Sequence, residues 1–266
     1  MEGKLKTRTL EELVPVHLAA RSLRPTSVRQ RTVLLRRFTT ETGDPRPADL
    51  GAEEVLRWWS SLQGSGYAPA TLRAHHAAAR TLVAWCGSVG LLVGNPVDVV
   101  RRPPEPRSVP RALTDAQVDA VLSAPMNARL ELCIALGLYA GLRVSEMTTL
   151  DASSVRWDGP VPLLRVRGKG GHLEDVPVED ERLVELLRQW CEVPGTWVPV
   201  RPNYLSTVVG RQMALAGVDE TAHALRHTYA TRLLRSGVDV RTVSARLRHS
   251  PNGSGLATTA RYLAPL

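Results

Sequence analysis

Six side chains, met along the chain in the order Arg143, Lys169, His223, Arg226, His249 and Tyr262, have the types needed to cleave a phosphodiester. Two guanidiniums can fork onto the non-bridging oxygens of one phosphate. Histidine and lysine can carry protons, whereas arginine cannot readily release one. His223 and Arg226 stand three residues apart at an expected helix start, where both share a face and the helix dipole with its open N–H groups favours an anion. Arg143 follows Gly141, which is placed to end an apolar helix and leave the guanidinium able to join Arg226. An arginine or a late tyrosine says little alone; the ordered set is specific.

Lys169 carries a separate signal. Of 34 Lys and Arg residues only Lys4, Lys6 and Lys169 are lysine, and Lys169 alone falls within the folded region. It lies in a Gly168, Lys169, Gly170, Gly171 turn between β-prone runs at 161–166 and 173–178, the pattern of a hairpin. Arginine would serve a solvated turn equally well, so lysine here points to proton chemistry.

The elements that must position these groups are legible as periodic segments. Helices are expected at 26–40, 52–63 and 68–87, from apolar residues near a 3.6 period broken by Gly and Pro. Four prolines and three arginines at 101–110 cannot continue a helix and make a stiff basic linker. The expected division is therefore a helical domain at 1–100, a linker at 101–111 and a second domain at 112–266. In the second domain, Thr114, Asp115 and Gln117 form a helix start and 130–140 reads as a buried helix ended by Gly141. After the hairpin, helices are expected at 180–191, 202–216, 224–236 and 240–248. Leu225, Tyr229, Leu233 and Leu234 have the spacing of a buried stripe, which assigns Tyr229 to the core. The fold class is mainly α with a small antiparallel β-sheet.

Composition sets limits. Over 266 residues, 43% hydrophobic content is enough for real cores, and a formal charge of +8 favours a polyanionic partner, most commonly nucleic acid. Cys86, Cys133 and Cys191 show neither CxxC pairing nor zinc spacing, so they read as packed thiols in a reducing compartment, with no metal site. Residues 1–10 lack a signal-peptide core and no stretch is long enough to span a bilayer, which predicts a cytoplasmic protein without membrane contact.

Residues 112–266 resemble the catalytic domain of the tyrosine recombinase (phage integrase) family. Ala140-Gly-Leu-Arg-Val-Ser-Glu146 is similar to the family's first arginine box, Gly168-Lys-Gly170 to its hairpin lysine, and His223-Ala-Leu-Arg-His-Thr-Tyr-Ala-Thr231 to its second box. Arg248-His249 and Ala257-Thr-Thr-Ala-Arg-Tyr262 are similar to its closing segment. The helical first domain and basic linker resemble the family's core-binding (SAM-like) domain. The resemblance implies a site-specific recombinase that cuts and rejoins double-stranded DNA through a 3′-phosphotyrosyl intermediate, with no cofactor. Tyr262 would attack the phosphate, Arg143, Arg226 and His249 would stabilise the pentavalent charge, Lys169 would protonate the leaving 5′-oxygen and His223 would assist proton transfer. Glu146 is expected to orient an arginine rather than act as an acid. Arg73 and Arg80, seven apart on one helix face, and Arg101 and Arg102 in the linker are the expected DNA contacts.

The expected role is that of an integrase of a phage or mobile element. A type IB topoisomerase-like strand-cleaving enzyme shares the chemistry, but the short first domain argues against it. A catalytically silent DNA-binding regulator is opposed by the intact set of six. Three features depart from the family pattern: Arg248 stands where Gly is usual, residues 250–256 lengthen the loop before Tyr262, and His172 and Glu174 replace basic residues after the hairpin lysine. Four residues follow Tyr262, too few for a docking helix. The expectation is a monomer in solution that forms a tetramer on paired DNA sites and cleaves in cis. The start of the chain at the core-binding domain likewise implies no arm-site domain.

Overall fold

The computed structural model describes residues 5–104, 111–168, 171–249 and 259. Lys169, Tyr262 and the expected loop at 250–256 lie outside the described residues. The chain forms two compact units, Met1–Arg107 and Ser108–Leu266.

The first unit contains α1 (Leu10–Ala19), α2 (Pro25–Glu41), α3 (Ala52–Gly64) and α4 (Pro69–Ser88). Both α2 and α4 open on a proline, whose fixed φ and missing N–H suit a first helical turn. Their apolar faces meet around Leu13, Phe38, Trp58, Leu62 and Leu82, all buried, with Phe38 and Trp58 edge-to-face at 4.8 Å. Helix α1 was not expected, because Pro15 interrupts its pattern. It starts at a capping box, in which Glu12 N–H donates to Thr9 Oγ1 at 3.4 Å and Thr9 N–H to Glu12 Oε2 at 3.0 Å.

His17 on α1 is 1% exposed and packs at 5.4 Å against Trp85, and neither ring nitrogen has a partner among the described residues. Burial first, then the charges of Arg21 and Arg31, lower its pKa from 6.5 to about 4. The folded state therefore keeps this ring neutral, while the unfolded chain binds a proton below about 6.5. Its contribution to stability is complete above that pH and is lost as pH falls towards about 4. Between pH 7 and pH 5 His17 alone is expected to contribute a loss of about 2 kcal/mol in urea unfolding, and His17→Phe should reduce the pH-dependent loss by that amount, His227 and His249 contributing separately. An unchanged pH slope in the variant would show that the proton goes elsewhere.

The second unit begins with α5 (Asp115–Ser123), α6 (Ala128–Ala140) and the short α7 (Val144–Met147). An antiparallel sheet follows, in the order β1 (Val155–Arg156), β2 (Leu163–Arg167) and β3 (Leu173–Pro177), with Leu164 opposite Val176 and Val166 opposite Glu174. Leu164, Val166 and Val176 point into the core, giving the alternation that made the hairpin readable. Strand β1 was not expected; two residues are too few to show a period. Helices α8 (Glu181–Cys191), α9 (Pro202–Leu215), α10 (His223–Arg235) and α11 (Val240–Arg246) complete the unit.

Helix α10 packs on α6 at Gly137, where a Cβ would lie 2.8 Å from that of Leu225. Leu113 N–H donates to Thr228 Oγ1 at 2.9 Å, tying the start of the unit to α10. Tyr229 is buried beside Val243 and Leu247, a core residue as its spacing predicted. Cys86 and Cys133 are buried and Cys191 half-buried, all as free thiols, and burial pushes the first two up to about 12. Among the described residues no helix is long and apolar enough to cross a membrane.

Helix α11 ends at Arg246 rather than reaching the expected 248. Arg248 has φ +52°. Its N–H returns to Ala245 O at 2.8 Å and that of His249 to Ser244 O at 3.0 Å, the paired bonds of a Schellman turn. The left-handed residue of that turn is normally glycine, which accounts for the usual Gly noted at this position. Arginine there costs about 1 kcal/mol of backbone strain.

Candidate active site

The ends of α6 and α11 and the starts of α7 and α10 converge on the carboxylate of Glu146. At the end of α6, Gly141 adopts φ +60°, and a Cβ there would collide with the ring of Tyr229. Only glycine fits, and the reversal presents the Gly141 carbonyl to two arginines. Arg226, in the first turn of α10 and 1% exposed, donates to Gly141 O at 2.6 Å and also to Leu247 O. Arg248 donates to Gly141 O at 3.1 Å and to Arg246 O at 2.7 Å.

Arg143 precedes α7, so its backbone N–H reaches Glu146 Oε2 at 2.8 Å while its guanidinium donates to Glu146 Oε1 at 2.7 Å and to Arg248 O at 3.1 Å. Arg248 donates to Glu146 Oε2 at 2.7 Å, and Arg226 stands 3.9 Å from the same oxygen. Burial alone would raise the Glu146 carboxyl, but the charge and hydrogen bonds of Arg248 and the backbone and charge of Arg143 hold it below its ordinary value. Three guanidiniums thus surround one carboxylate, leaving an excess of two positive charges.

Burial and the neighbouring arginines disfavour the protonated form of the cluster's histidines. His249 follows the Schellman turn directly, half-buried, with Nδ1 2.8 Å from Thr259 Oγ1. Desolvation, then Arg226, Arg143 and Arg248, lower its pKa to about 4. If the hydroxyl donates to Nδ1, the ring proton sits on Nε2 as a hydrogen-bond donor. His223, the first residue of α10, is exposed as a whole, yet nearby protein and then Arg226 and Arg143 lower its pKa too. Its ring meets buried His227 edge-on at 4.9 Å, and His227 is lowered to about 3 by burial and by His223.

Arg143, His223, Arg226 and His249 are therefore brought into one electrostatic cluster, and Lys169 and Tyr262 fall outside the described residues. In the first unit, Arg73 donates to Pro103 O at 2.6 Å and exposed Arg80 pairs with Asp98 at 2.7 Å, while Arg101 and Arg102 are exposed. Glu146 holds arginines, as expected. Sequence reasoning missed the bonds of Arg248, flagged only by its departure from Gly, and the contact of Thr259, for which no signal was available.

Residues 111–265 match the family described as Phage integrase family. The chain is 32% identical to tyrosine recombinase XerA of Thermococcus kodakarensis over 90% of its own length and 84% of the relative's. It is 34% identical to tyrosine recombinase XerC of a Mycobacterium species (strain KMS) over 81% of the chain and 79% of the relative. Among solved structures, a lambda integrase dimer bound to a COC′ core site superposes with TM-score 0.75 at 19% identity, covering 92% of this chain and 95% of that one. The XerH recombinase bound to a palindromic difH substrate gives TM-score 0.74 at 19% identity, covering 96% and 80%. At these identities the structural likeness is one of fold. A single family matching from residue 111 to 265, with a relative 32% identical along most of the chain, puts this chain in the phage integrase family: it is a tyrosine recombinase, an enzyme that breaks and rejoins DNA strands.

Proposed function

We propose that the chain cleaves double-stranded DNA through a 3′-phosphotyrosyl bond formed by Tyr262, with Arg143, Arg226 and His249 on the scissile phosphate. The observation that carries this reading is the excess of two positive charges around Glu146, which matches the two negative charges of a pentavalent phosphorane. Arginine hydrogen bonds to the Gly141, Leu247 and Arg248 carbonyls fix these cations before DNA arrives, so little reorganisation is left for the reaction itself. Neutral His249 then serves as a donor to a non-bridging oxygen rather than as a third charge. The covalent bond conserves the phosphodiester energy, and attack by a second 5′-hydroxyl gives strand exchange.

The first unit, with Arg73, Arg80, Arg101 and Arg102, is assigned to holding the duplex. The Arg80–Asp98 pair is exposed on both sides, and such pairs contribute at most about 1 kcal/mol, so a DNA phosphate can displace the carboxylate. Relatives named XerA and XerC support a resolvase role over the integration of a phage or mobile element. Assembly follows the sequence expectation of a monomer that becomes a tetramer on paired sites.

Trapping on a suicide DNA substrate, followed by a strand-exchange assay, tests the reading. Covalent product with exchange is expected; product without exchange would indicate a topoisomerase-like enzyme, and no product a binding protein. Lys169→Ala is expected to lose cleavage on normal DNA and regain it on DNA with sulfur at the 5′-bridging position, because a thiolate leaves without a general acid. Absence of rescue would assign Lys169 to phosphate binding.

A further inference from the structure

Arg248 is hard to explain as packing. Among the described residues, Asp44 and Arg248 are the non-glycine positions with positive φ, and an arginine lacks the short side chain that lets aspartate adopt it comfortably. Its side chain is nearly inaccessible, at 1%, which is rare for an arginine unless it is paired.

The partners show what it does. A carboxylate offers about four lone-pair sites. Those of Glu146 receive four donors: Arg143 N–H at 2.8 Å and Arg248 Nη2 at 2.7 Å on Oε2, Arg143 Nη1 at 2.7 Å and Arg248 Nε at 3.4 Å on Oε1. Two arginines thus fill the acceptor, and Arg226, the third, is held at 3.9 Å from it. With glycine at 248, half of those sites would open, and Arg226 is the nearby cation able to fill them. The carbonyl of Arg248, turned by its left-handed backbone, also receives Arg143 Nη2 at 3.1 Å.

We propose that Arg248 is a positioning residue for strand cleavage: it saturates Glu146 so that this carboxylate does not draw Arg226 off the scissile phosphate. The proposal rests on the assignment of Arg226 to that phosphate. It gives the departure from glycine a function: the backbone strain is tolerated because the side chain occupies a competing anion.

A double-mutant cycle with Glu146→Gln tests it, using single-turnover cleavage of a saturating suicide DNA alongside DNA binding. Arg248→Gly is expected to slow cleavage about 10- to 100-fold, the scale of a misplaced catalytic group, with DNA affinity changed less than about threefold. Arg248→Lys, which returns the charge and one donor, should recover part of the rate. In the Glu146→Gln background the amide no longer competes for Arg226, so adding Arg248→Gly should cost less than about twofold, a strong departure from additivity. Equal losses in both backgrounds, or native speed in Arg248→Gly, would overturn the proposal. The Glu146→Gln/Arg248→Gly protein buries neither charge, so its comparison with Glu146→Gln stands even if Arg248→Gly alone folds poorly. Tyr262→Phe in the same assay separates the two questions: surviving covalent product refutes the catalytic assignment, whereas an additive cycle refutes only the role of Arg248.

Discussion

Tyr262→Phe is expected to abolish covalent attachment to DNA while leaving binding nearly intact, since the change removes one hydroxyl and no charge. Loss of the attacking atom of a covalent enzyme lowers the rate by on the order of 10⁴-fold or more, so no phosphotyrosyl band should be visible on a denaturing gel. The alternative nucleophile in the second box is Tyr229, and its surroundings argue against it. It is buried against Gly141, and burial pushes its hydroxyl up, away from the ionised form that attacks. A trapped complex that persisted in Tyr262→Phe, or whose peptide mapped to Tyr229, would refute the assignment.

Arg226→Ala should be the most damaging change within the cluster because it acts on both catalysis and fold. Losing one preorganised donor to the transition state costs about 10²- to 10³-fold in rate. The same truncation leaves the Leu247 carbonyl without its arginine donor and the Gly141 carbonyl with Arg248 alone, and a buried acceptor left unsatisfied costs about 1–3 kcal/mol. Arg226→Lys keeps the charge but cannot span two carbonyls and a phosphate. Chemical denaturation and single-turnover cleavage, measured on both variants, should therefore show lysine recovering part of the stability and little of the rate. Full activity in Arg226→Lys would mean that only charge is needed at this position.

The fold was readable wherever a segment carried its own period. The amphipathic helices of both units and the β2–β3 hairpin fall close to their expected limits, because alternation and 3.6-residue spacing are local properties. The omissions have local causes too: Pro15 masked α1, and β1 is two residues long. At the site, Arg143, His223, Arg226 and His249 were visible by type and order, and Glu146 by its place one turn after Arg143. What the sequence could not show is how the charges are shared out. That four donors fill Glu146 depends on Arg248 turning back through a left-handed residue, a geometry that a helix extrapolated to 248 had erased. The contact between His249 and Thr259 is likewise tertiary, and no spacing rule announces it.

The carbonyl of Gly141 receives donors from Arg226 and Arg248, 85 and 107 residues further along the chain. During synthesis, Gly141 and Arg143 leave the ribosome long before either partner exists, and closing loops of that length follows the formation of the local helices. The cationic cluster is therefore expected to form after the local helices of this unit. A nascent or truncated chain lacking α11 and the turn after it can be largely helical and still have no fixed charge arrangement. On the proposed assignment, a chain ending before α11 lacks the Leu247 and Arg248 carbonyls that hold Arg226 and Arg143, and it is expected not to cleave DNA.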